Sequence, residues 1–345
     1  MNIGFFVSDH GFGHMMRELP VIKCLLEDGH VITVICNSKH LKLAKDYLGE
    51  APNYVEMHTD AGIVVFPGTI KKDVLATVEN ARTFMDSYPD KIRWAKQLFH
   101  DKKIDKIVVD IVPWAIKAAK EAEVSSYLMA SFTWLDQYGE DLPKSYRNEF
   151  EKCFRMADHV LYYELCNKKT RALLGKGVEV GFVSREFHED KIKRIRTEHS
   201  RKIVFLSLGA SNAGIDYDID VSELNYDFIT TKALRLVGDN VTYLDIDTPN
   251  TQDYVKAADY CITKPGWTTV AEVMLAATPT ALLERPDVLE DTMTIEMMKE
   301  RNAAISIGVE ELKDMQNVID KMESFCFRIK RYDNSSRYIA DIVSE

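Results

Sequence analysis

The chain has 345 residues, of which 46% are hydrophobic and 28% charged, and its formal net charge at pH 7 is −10. This composition excludes a largely disordered protein, and the length suits two α/β domains of about 150 to 180 residues each. The acidic balance disfavours binding to nucleic acid. No apolar run reaches the roughly 18 residues of a transmembrane helix, so only peripheral contact with a membrane stays open.

The cysteines and the first residues bear on the compartment. Six cysteines show no C-x-x-C spacing, which favours reduced thiols. The chain enters directly into a strand-like run without a basic leader, so no signal peptide is expected. We therefore expect a cytoplasmic protein, and these features leave its oligomeric state open.

Strands and helices alternate along the first half of the chain. Apolar runs predict strands over 2–7, 31–36, 106–112, 125–130 and 159–163. Helical periodicity falls between them, over 14–27, 39–48, 72–99, 114–122 and 144–156. Alternation of this kind is typical of a parallel sheet covered by helices.

The second half repeats the pattern. Strands are predicted over 203–208, 241–246, 259–263, 279–284 and 303–307, with helices near 222–236, 251–257, 267–276, 290–301 and 309–324. The fold class is therefore α/β, with two Rossmann-like, doubly wound parallel-sheet domains over 1–183 and 184–345, a linker within 181–201, and a last helix near 328–343 that packs back on the first domain. Ligands of such sheets bind beyond the carboxyl ends of the strands, which predicts a cleft between the domains.

The first strand leads into a turn that presents a histidine. Gly11 and Gly13 permit a tight turn, and His14 stands where a helix begins, beside unpaired N–H groups that attract an anion. A dinucleotide-binding fingerprint is excluded, because Met16 replaces its third glycine and Asn37 stands where its acidic residue is expected. His14 is thus either a base beside a bound anion or a histidine that caps or packs the helix.

Two segments of the second half could bind an anion. Small residues follow the strand over 203–208, and their backbone N–H groups could hold a phosphate or simply form a tight turn. Lys264 and Gly266 precede a helix that starts near Thr268. Glu272 in this helix either accepts hydrogen bonds from ribose hydroxyls or compensates the helix dipole, and Trp267 is either a packed lid or a platform for a base.

Four motifs, in this order, resemble those of GT-B glycosyltransferases: GFGHMMR at 11–17, GFVSR at 181–185, the small-residue loop after 203–208, and KPGWTTVAE at 264–272. The chain looks most like the group that contains the lipid II N-acetylglucosaminyltransferase and the macrolide glycosyltransferases. It also resembles the amino-terminal domain of plant L-arabinokinase and the UDP-sugar hydrolase of pseudaminic acid synthesis, whose GFGH-x-x-R turn is nearly the same.

The resemblance implies roles for individual residues. His14 would be the catalytic base that activates the acceptor hydroxyl, and Asp110, at the end of KIVVD, would orient it; the alternative is that Asp110 caps the helix after Pro113. Glu272 would bind the ribose. The implied donor site consists of Gly13, Arg185, Gly209, Ala210, Ser211, Lys264, Gly266, Trp267, Thr268, Thr269, Glu272 and Asp291.

The chain departs from the family pattern at the sugar-binding position. Many members carry an Asp-Gln or Glu-Gln pair where this chain has Glu290-Asp291-Thr292, so the sugar stays open. No Asp-x-Asp motif ends a strand, and we expect neither a metal nor a cofactor, with the nucleotide sugar as substrate. The leading hypothesis is an inverting transferase that uses a UDP-sugar. The alternatives are a UDP-sugar hydrolase and a non-catalytic sugar-nucleotide sensor, and the acceptor cannot be read from the loops at 62–73 and 134–145.

Overall fold

The computed structural model describes residues 1–66, 71–209, 214–246, 248–285 and 288–345. The chain forms two compact units. The first comprises Met1–Phe66, Lys72–Val183 and the carboxyl-terminal segment Asn334–Glu345, and the second comprises Ser184–Asp333. The chain therefore leaves the first unit after Val183 and returns to it at Asn334.

The first unit is built on a seven-stranded parallel sheet with the order β3-β2-β1-β4-β5-β6-β7. Its strands are β1 (Asn2–Val7), β2 (Val31–Cys36), β3 (Asn53–Glu56), β4 (Lys106–Asp110), β5 (Ser125–Ala130), β6 (His159–Tyr163) and β7 (Val178–Gly181). Its helices up to this point are α1 (Phe12–Glu27), α2 (Ser38–Leu48), α3 (Val74–Asp86), α4 (Tyr88–Lys102), α5 (Pro113–Glu121), α6 (Trp134–Tyr138), α7 (Lys144–Phe154) and α8 (Lys168–Leu174).

The second unit contains a six-stranded parallel sheet with the order β12-β10-β8-β13-β14-β15 and a separate two-stranded pair of β9 and β11. Its strands are β8 (Lys202–Ser207), β9 (Ile219–Asp220), β10 (Tyr226–Thr231), β11 (Leu236–Val237), β12 (Val241–Leu244), β13 (Tyr260–Thr263), β14 (Thr280–Leu283) and β15 (Ala304–Ile307). Its helices are α9 (Glu189–Glu198), α10 (Gln252–Ala257), α11 (Trp267–Ala276), α12 (Leu289–Glu300) and α13 (Met315–Ser324).

The last helix, α14 (Ser336–Ser344), belongs to the first unit and packs against α1. Lys106 at the start of β4 donates from Nζ to the carbonyl oxygen of Val343 over 3.0 Å, and Arg337 bonds the carboxylate of Asp28 over 2.6 Å. The helix is shorter than predicted, because it begins at Ser336 and not near residue 328.

The prediction of a helix over 222–236 is wrong, because this segment contains β10, which lies between β8 and β12. Phe228, Ile229 and Thr230 are buried on both faces of the sheet, and the Thr230 hydroxyl donates to the carbonyl oxygen of Leu206 over 2.8 Å. Aromatic and β-branched residues favour such a position. A short apolar run does not by itself distinguish a buried strand from a helix.

Two other predicted segments are subdivided. The helix predicted over 72–99 is two helices, α3 and α4, because Pro89 lies in the first turn of the second and cannot continue the first. The linker predicted within 181–201 contains α9, which buries Ile192 and Ile195 against the second sheet. Their spacing of three residues puts both on one helix face.

Parallel strands bring the ends of distant segments to one edge of each sheet. Val7 at the end of β1 is in register with Asp110 at the end of β4. In the second unit, Ser207 at the end of β8 is in register with Thr263 at the end of β13. The loops that follow these strands therefore lie beside each other within each unit.

Two features of composition are visible in the structure. All six cysteines are free thiols, of which Cys36, Cys153, Cys166 and Cys261 are buried, Cys24 is half-buried and Cys326 is exposed. Among the helices of the described ranges, none combines the length and the apolar character needed to cross a membrane.

Candidate functional site

The turn after β1 places His14 at the start of α1. Gly11 precedes the helix with φ at 69°, a conformation that favours glycine. The helix begins at Phe12, two residues earlier than predicted, so Gly13 is its second residue and His14 its third. The His40 ring from α2 supports the turn, because its Nε2 donates to the carbonyl oxygen of Gly11 over 2.9 Å.

His14 is hydrogen-bonded to the aspartate that the resemblance paired with it. Its Nδ1 lies 3.0 Å from Oδ1 of Asp110, and both side chains are buried. The alternative role for Asp110 finds no support, because the N-cap of α5 is Val112 and no side-chain hydrogen bond to this cap occurs among the described residues. The sequence thus indicated a pair that the structure brings together, although the proposed roles in catalysis remain predictions.

Arg17, which the sequence analysis did not select, binds the same carboxylate. Its Nε donates to Oδ2 of Asp110 over 2.8 Å, its Nη2 bonds Oδ1, and its Nη1 donates to the hydroxyl of Ser131 over 3.1 Å. The guanidinium lies over the ring of Tyr163 at 4.9 Å. The sequence carried two signals for this residue. Arg17 is the last residue of the GFGHMMR motif, and it follows His14 by three, a spacing that puts both residues on one helix face.

A buried glutamate completes this cluster. The Tyr163 hydroxyl donates to Oε1 of Glu18 over 2.8 Å, and Glu18 is fully buried. Burial and the neighbouring Asp110 carboxylate raise the pKa of Glu18 to about 8, although Arg17 acts in the opposite direction. Glu18 is therefore protonated at neutral pH, and Asp110 alone supplies the negative charge of the cluster.

The charges in this cluster set the protonation of the dyad. Burial would raise the pKa of Asp110, but the Arg17 guanidinium and the His14 ring hold it well below its usual range. Burial lowers the pKa of His14; Asp110 opposes this effect and Arg17 adds to it, so His14 titrates below its ordinary value of 6.5. At neutral pH the cluster therefore contains an aspartate, an arginine cation and a neutral imidazole.

In the second unit, the predicted donor residues lie at the ends of adjacent strands. Gly209 follows β8 with φ at 71°, and a Cβ added there would stand 3.5 Å from Nζ of Lys264, which follows β13. The Thr263 hydroxyl ties the two strand ends together by donating to the carbonyl oxygen of Ser207 over 2.8 Å. Ala210 and Ser211, both predicted to contact the donor, lie outside the described residues.

The helix after β13 begins where it was predicted to bind an anion. Gly266 caps α11 without a side-chain hydrogen bond, and Trp267, Thr268 and Thr269 form its first turn. The indole of Trp267 is buried, whereas both threonines are half-buried. The described part of this site thus consists of two strand ends and one helix start.

Asp291 is paired with an arginine that the sequence analysis did not select. Arg285, which follows β14, approaches Oδ2 of Asp291 in the first turn of α12 over 2.9 Å. The contact is an ion pair without hydrogen-bond alignment, since Arg285 Nε and Asp291 Oδ2 are buried and have no hydrogen-bond partner among the described residues. The side chain at the sugar-binding position of the family is therefore engaged by a neighbouring cation.

Two cations share this region. Burial lowers the pKa of Lys264, and the positive charge of Arg285 lowers it further. Burial raises the pKa of Asp291 to about 6, although Arg285 and Lys264 oppose the shift. Near neutral pH the Arg285 and Asp291 charges thus offset each other, and burial weakens the hold of Lys264 on its proton.

Arg185 and Glu272, both predicted to contact the donor, contact each other. Nη2 of Arg185 donates to Oε1 of Glu272 over 2.9 Å and to the Thr251 hydroxyl over 3.3 Å. Both charged side chains are buried, and Nε of Arg185 has no hydrogen-bond partner in the described part of the chain. Glu272 is therefore held in place by an ion pair. The sequence analysis considered ribose binding and dipole compensation for this residue, but not an ion pair.

The described residues contain no group of three or more histidine, cysteine, aspartate or glutamate side chains placed to hold a metal ion.

Known sequences similar to this chain include sugar-handling enzymes. No protein-family model matches the sequence. The L-arabinokinase of Arabidopsis thaliana is 22% identical over 313 residues, which cover 86% of this chain but only 29% of that protein. An uncharacterized glycosyltransferase of Methanosarcina mazei is 25% identical over 325 residues, which cover 83% of this chain and 80% of the relative.

Solved structures show the likeness over almost the full length. UGT89C1 of Arabidopsis thaliana, complexed with UDP, matches with a TM-score of 0.63 at 12% identity, and the match covers 99% of this chain and 98% of that one. MurG of Acinetobacter baumannii matches with a TM-score of 0.59 at 14% identity and 99% coverage of both chains. The resemblance to GT-B glycosyltransferases that the motifs indicated is confirmed, and the chain has the GT-B fold.

Proposed function

We propose that this protein is an inverting glycosyltransferase that moves a sugar from a UDP-sugar to an acceptor hydroxyl without a metal ion. The observation that carries the proposal is the buried contact between His14 Nδ1 and Asp110 Oδ1. A ring that donates from Nδ1 has its lone pair on Nε2, where it can accept a proton. The same element, a strand followed by a glycine turn and a helix start, carried the resemblance in the sequence.

In the proposed reaction His14 acts as the base. Its Nε2 accepts the proton of the acceptor hydroxyl while the oxygen attacks the anomeric carbon of the donor. The bond between that carbon and the diphosphate oxygen breaks, and UDP leaves with the bonding electrons. Attack from the side opposite the leaving group inverts the anomeric centre.

The second unit supplies the proposed contacts to the donor. A carboxylate accepts more hydrogen bonds than the single one that Arg185 donates to Glu272, so this side chain retains the capacity to bind ribose hydroxyls. We assign the contacts to the diphosphate to Lys264, Arg285 and the backbone N–H groups at the start of α11. Because charge on the leaving phosphate grows as the glycosidic bond breaks, these groups act mainly in the transition state.

Similar solved structures support the part of the proposal that concerns the donor. UGT89C1 was crystallised with UDP and with UDP-L-rhamnose, and UGT2 of Phytolacca americana with UDP-2fluoro-glucose. The likeness extends over both units of the chain. For the inverting course and the independence from a metal, the proposal rests on the site alone.

A product analysis tests the proposal. The purified full chain would be incubated with a panel of UDP-sugars and candidate acceptors in the presence of EDTA, and NMR would follow UDP release and the anomeric configuration of the product. We expect a glycoside of inverted configuration, formed about 10²-fold or more slowly by His14→Ala. Release of free sugar in place of a glycoside would establish a hydrolase, and tight UDP-sugar binding without turnover would establish a sensor.

A further inference from the structure

The Nδ1 atom of His14 lies at the same distance from a hydrogen-bond acceptor and from a donor. Oδ1 of Asp110 and Nη2 of Arg17 are each 3.0 Å away. A neutral imidazole nitrogen either carries a hydrogen or accepts one, so Nδ1 cannot serve both partners. The position of Arg17 therefore bears directly on the state of the ring.

The two arrangements differ in what the ring can do. When Nδ1 donates to Asp110, Nε2 has a lone pair and can take a proton from an acceptor hydroxyl. When Nδ1 accepts from Arg17, Nε2 carries the hydrogen and cannot act as a base. The fork of Arg17 on Asp110 uses the Nε hydrogen and one of the two Nη2 hydrogens, which favours the first arrangement by directing the guanidinium to the carboxylate.

The charge of the cluster is balanced without His14. The ring is faced by Asp110 from β4, by Arg17 on its own helix and by His40 from α2. Glu18 and Tyr163 lie next to Arg17, and both are neutral at pH 7 because burial raises their pKa values. The Arg17 cation thus neutralises Asp110, and a proton on His14 would add a buried positive charge without compensation.

We propose that Arg17 is a positioning residue that fixes the Asp110 carboxylate and takes up its charge, so that His14 remains a neutral imidazole with a free Nε2. This inference rests on the proposed role of His14 as the base and adds a third residue to the pair. The resting cluster is ready to accept one proton, and the Arg17 charge promotes its release from Nε2 after the reaction. Arg17 itself touches neither substrate nor reacting atoms.

Titration of His14 by ¹⁵N NMR in the unliganded full chain tests the inference. In Arg17→Met, His14 becomes the remaining partner of a buried carboxylate, so its pKa should rise by roughly one pH unit or more. The acid limb of kcat/KM should move to higher pH by the same amount. Arg17→Lys keeps the charge but cannot form the fork, and should shift the titration in the same direction by less.

The same substitution is repeated in a protein that carries Asp110→Asn, so that the result does not depend on the folding of one variant. Asp110→Asn leaves the Arg17 cation beside His14 and should lower the pKa of the ring. The double variant, Arg17→Met with Asp110→Asn, has no charge left in the pair and should raise the pKa of the ring again. The matched control is Arg155→Met, which removes an exposed arginine paired with Glu151 and should leave the titration unchanged.

The outcomes separate the inference from the proposed function. An unchanged His14 titration when Arg17 is removed, in either background, would overturn the inference even if the protein transfers sugar. A shifted titration in a protein that turns over no UDP-sugar would refute the proposed function, but it would still establish that Arg17 lowers the pKa of His14.

Discussion

The two units both contain a buried aspartate beside an arginine, but the two pairs differ in geometry. Asp110 receives hydrogen bonds on both oxygens from Arg17, which in turn bonds Ser131. Asp291 lies 2.9 Å from Arg285, yet its Oδ2 and the arginine Nε have no hydrogen-bond partner among the described residues. One pair is complete within its unit, and the other retains unused hydrogen-bonding capacity.

The difference appears in the pKa values of the aspartates. Burial acts in the same direction on both, yet the pKa of Asp110 falls well below its usual range and that of Asp291 rises to about 6. Aligned charge-assisted hydrogen bonds outweigh the cost of burial in the first case, and an unaligned ion pair does not in the second. The first cluster is thus preorganised for proton transfer, and the second is suited to an added anion.

The largest expected effect is the loss of the base. His14→Ala should reduce turnover by about 10²-fold or more and change UDP affinity by only a few-fold, because a general base acts on the reaction and not on the bound nucleotide. Asp110→Asn should lose a similar factor, and the double variant little more than either single one. Single-turnover rates and calorimetric UDP titration would measure both quantities. Additive losses would show that the two residues act independently.

The next largest effect is expected from Lys264 in the second unit, which we propose stabilises the departing diphosphate. Lys264→Ala should slow the chemical step roughly 10²-fold and weaken UDP binding less, because its charge matters most as the diphosphate departs. EDTA should leave the wild-type rate largely intact. The control is Lys256→Ala, which removes a half-buried lysine paired with Glu189. Loss of activity on chelation, restored by Mg²⁺ or Mn²⁺, would contradict metal independence.

A smaller effect is expected at the ribose contact. Glu272→Ala should weaken UDP binding by about 1 to 3 kcal/mol, because it removes a carboxylate from two hydroxyl hydrogen bonds. A 2′,3′-dideoxyribose nucleotide, which lacks both hydroxyls, should bind the wild type and the variant almost equally, and calorimetry with both ligands would measure this. Equal losses for the two ligands would mean that Glu272 serves the structure through its ion pair with Arg185.

The architecture could be predicted from sequence to a large extent. Continuous apolar runs identified β1, β2, β5 and β6 at their observed bounds, since strands buried on both faces leave such runs. The short strands β3 and β7 at the sheet edges were not predicted, because they have too few buried positions to show a hydrophobic periodicity. The segment of β10 was assigned to a helix because neighbouring strands, and not local periodicity, determine its conformation.

The site could be predicted from sequence only in part. His14 and Asp110 were selected individually, and the parallel register of β1 and β4 brings them together. Arg17 stands in the GFGHMMR motif but received no role, because arginine is usually exposed. Its burial depends on a carboxylate 93 residues away in sequence, which no local pattern reveals. Arg285 was not selected for a similar reason, since its partner Asp291 lies on the following helix.

The last effect concerns the stability of the first cluster, not its activity, and involves Glu18. The folded-state pKa of about 8 lies above the ordinary value of 4.5. The folded protein therefore holds a proton that the unfolded chain loses between these values. The free energy of unfolding should thus fall as the pH rises from about 4.5 to about 8, by at most about 1.4 kcal/mol per pH unit.

Glu18→Gln isolates this contribution, because an amide keeps the shape of the protonated acid but does not ionise. Urea denaturation of the full chain at several pH values should show a smaller decline for the variant, with Glu56→Gln, at an exposed position, as the control. Because the Tyr163 hydroxyl bonds Oε1 of Glu18 over 2.8 Å, Tyr163→Phe should retain the decline while lowering stability at every pH. An identical decline in wild type and Glu18→Gln would mean that Glu18 is already ionised in the folded protein. Arg17 would then face two carboxylates, and the charge balance that leaves His14 neutral would no longer hold.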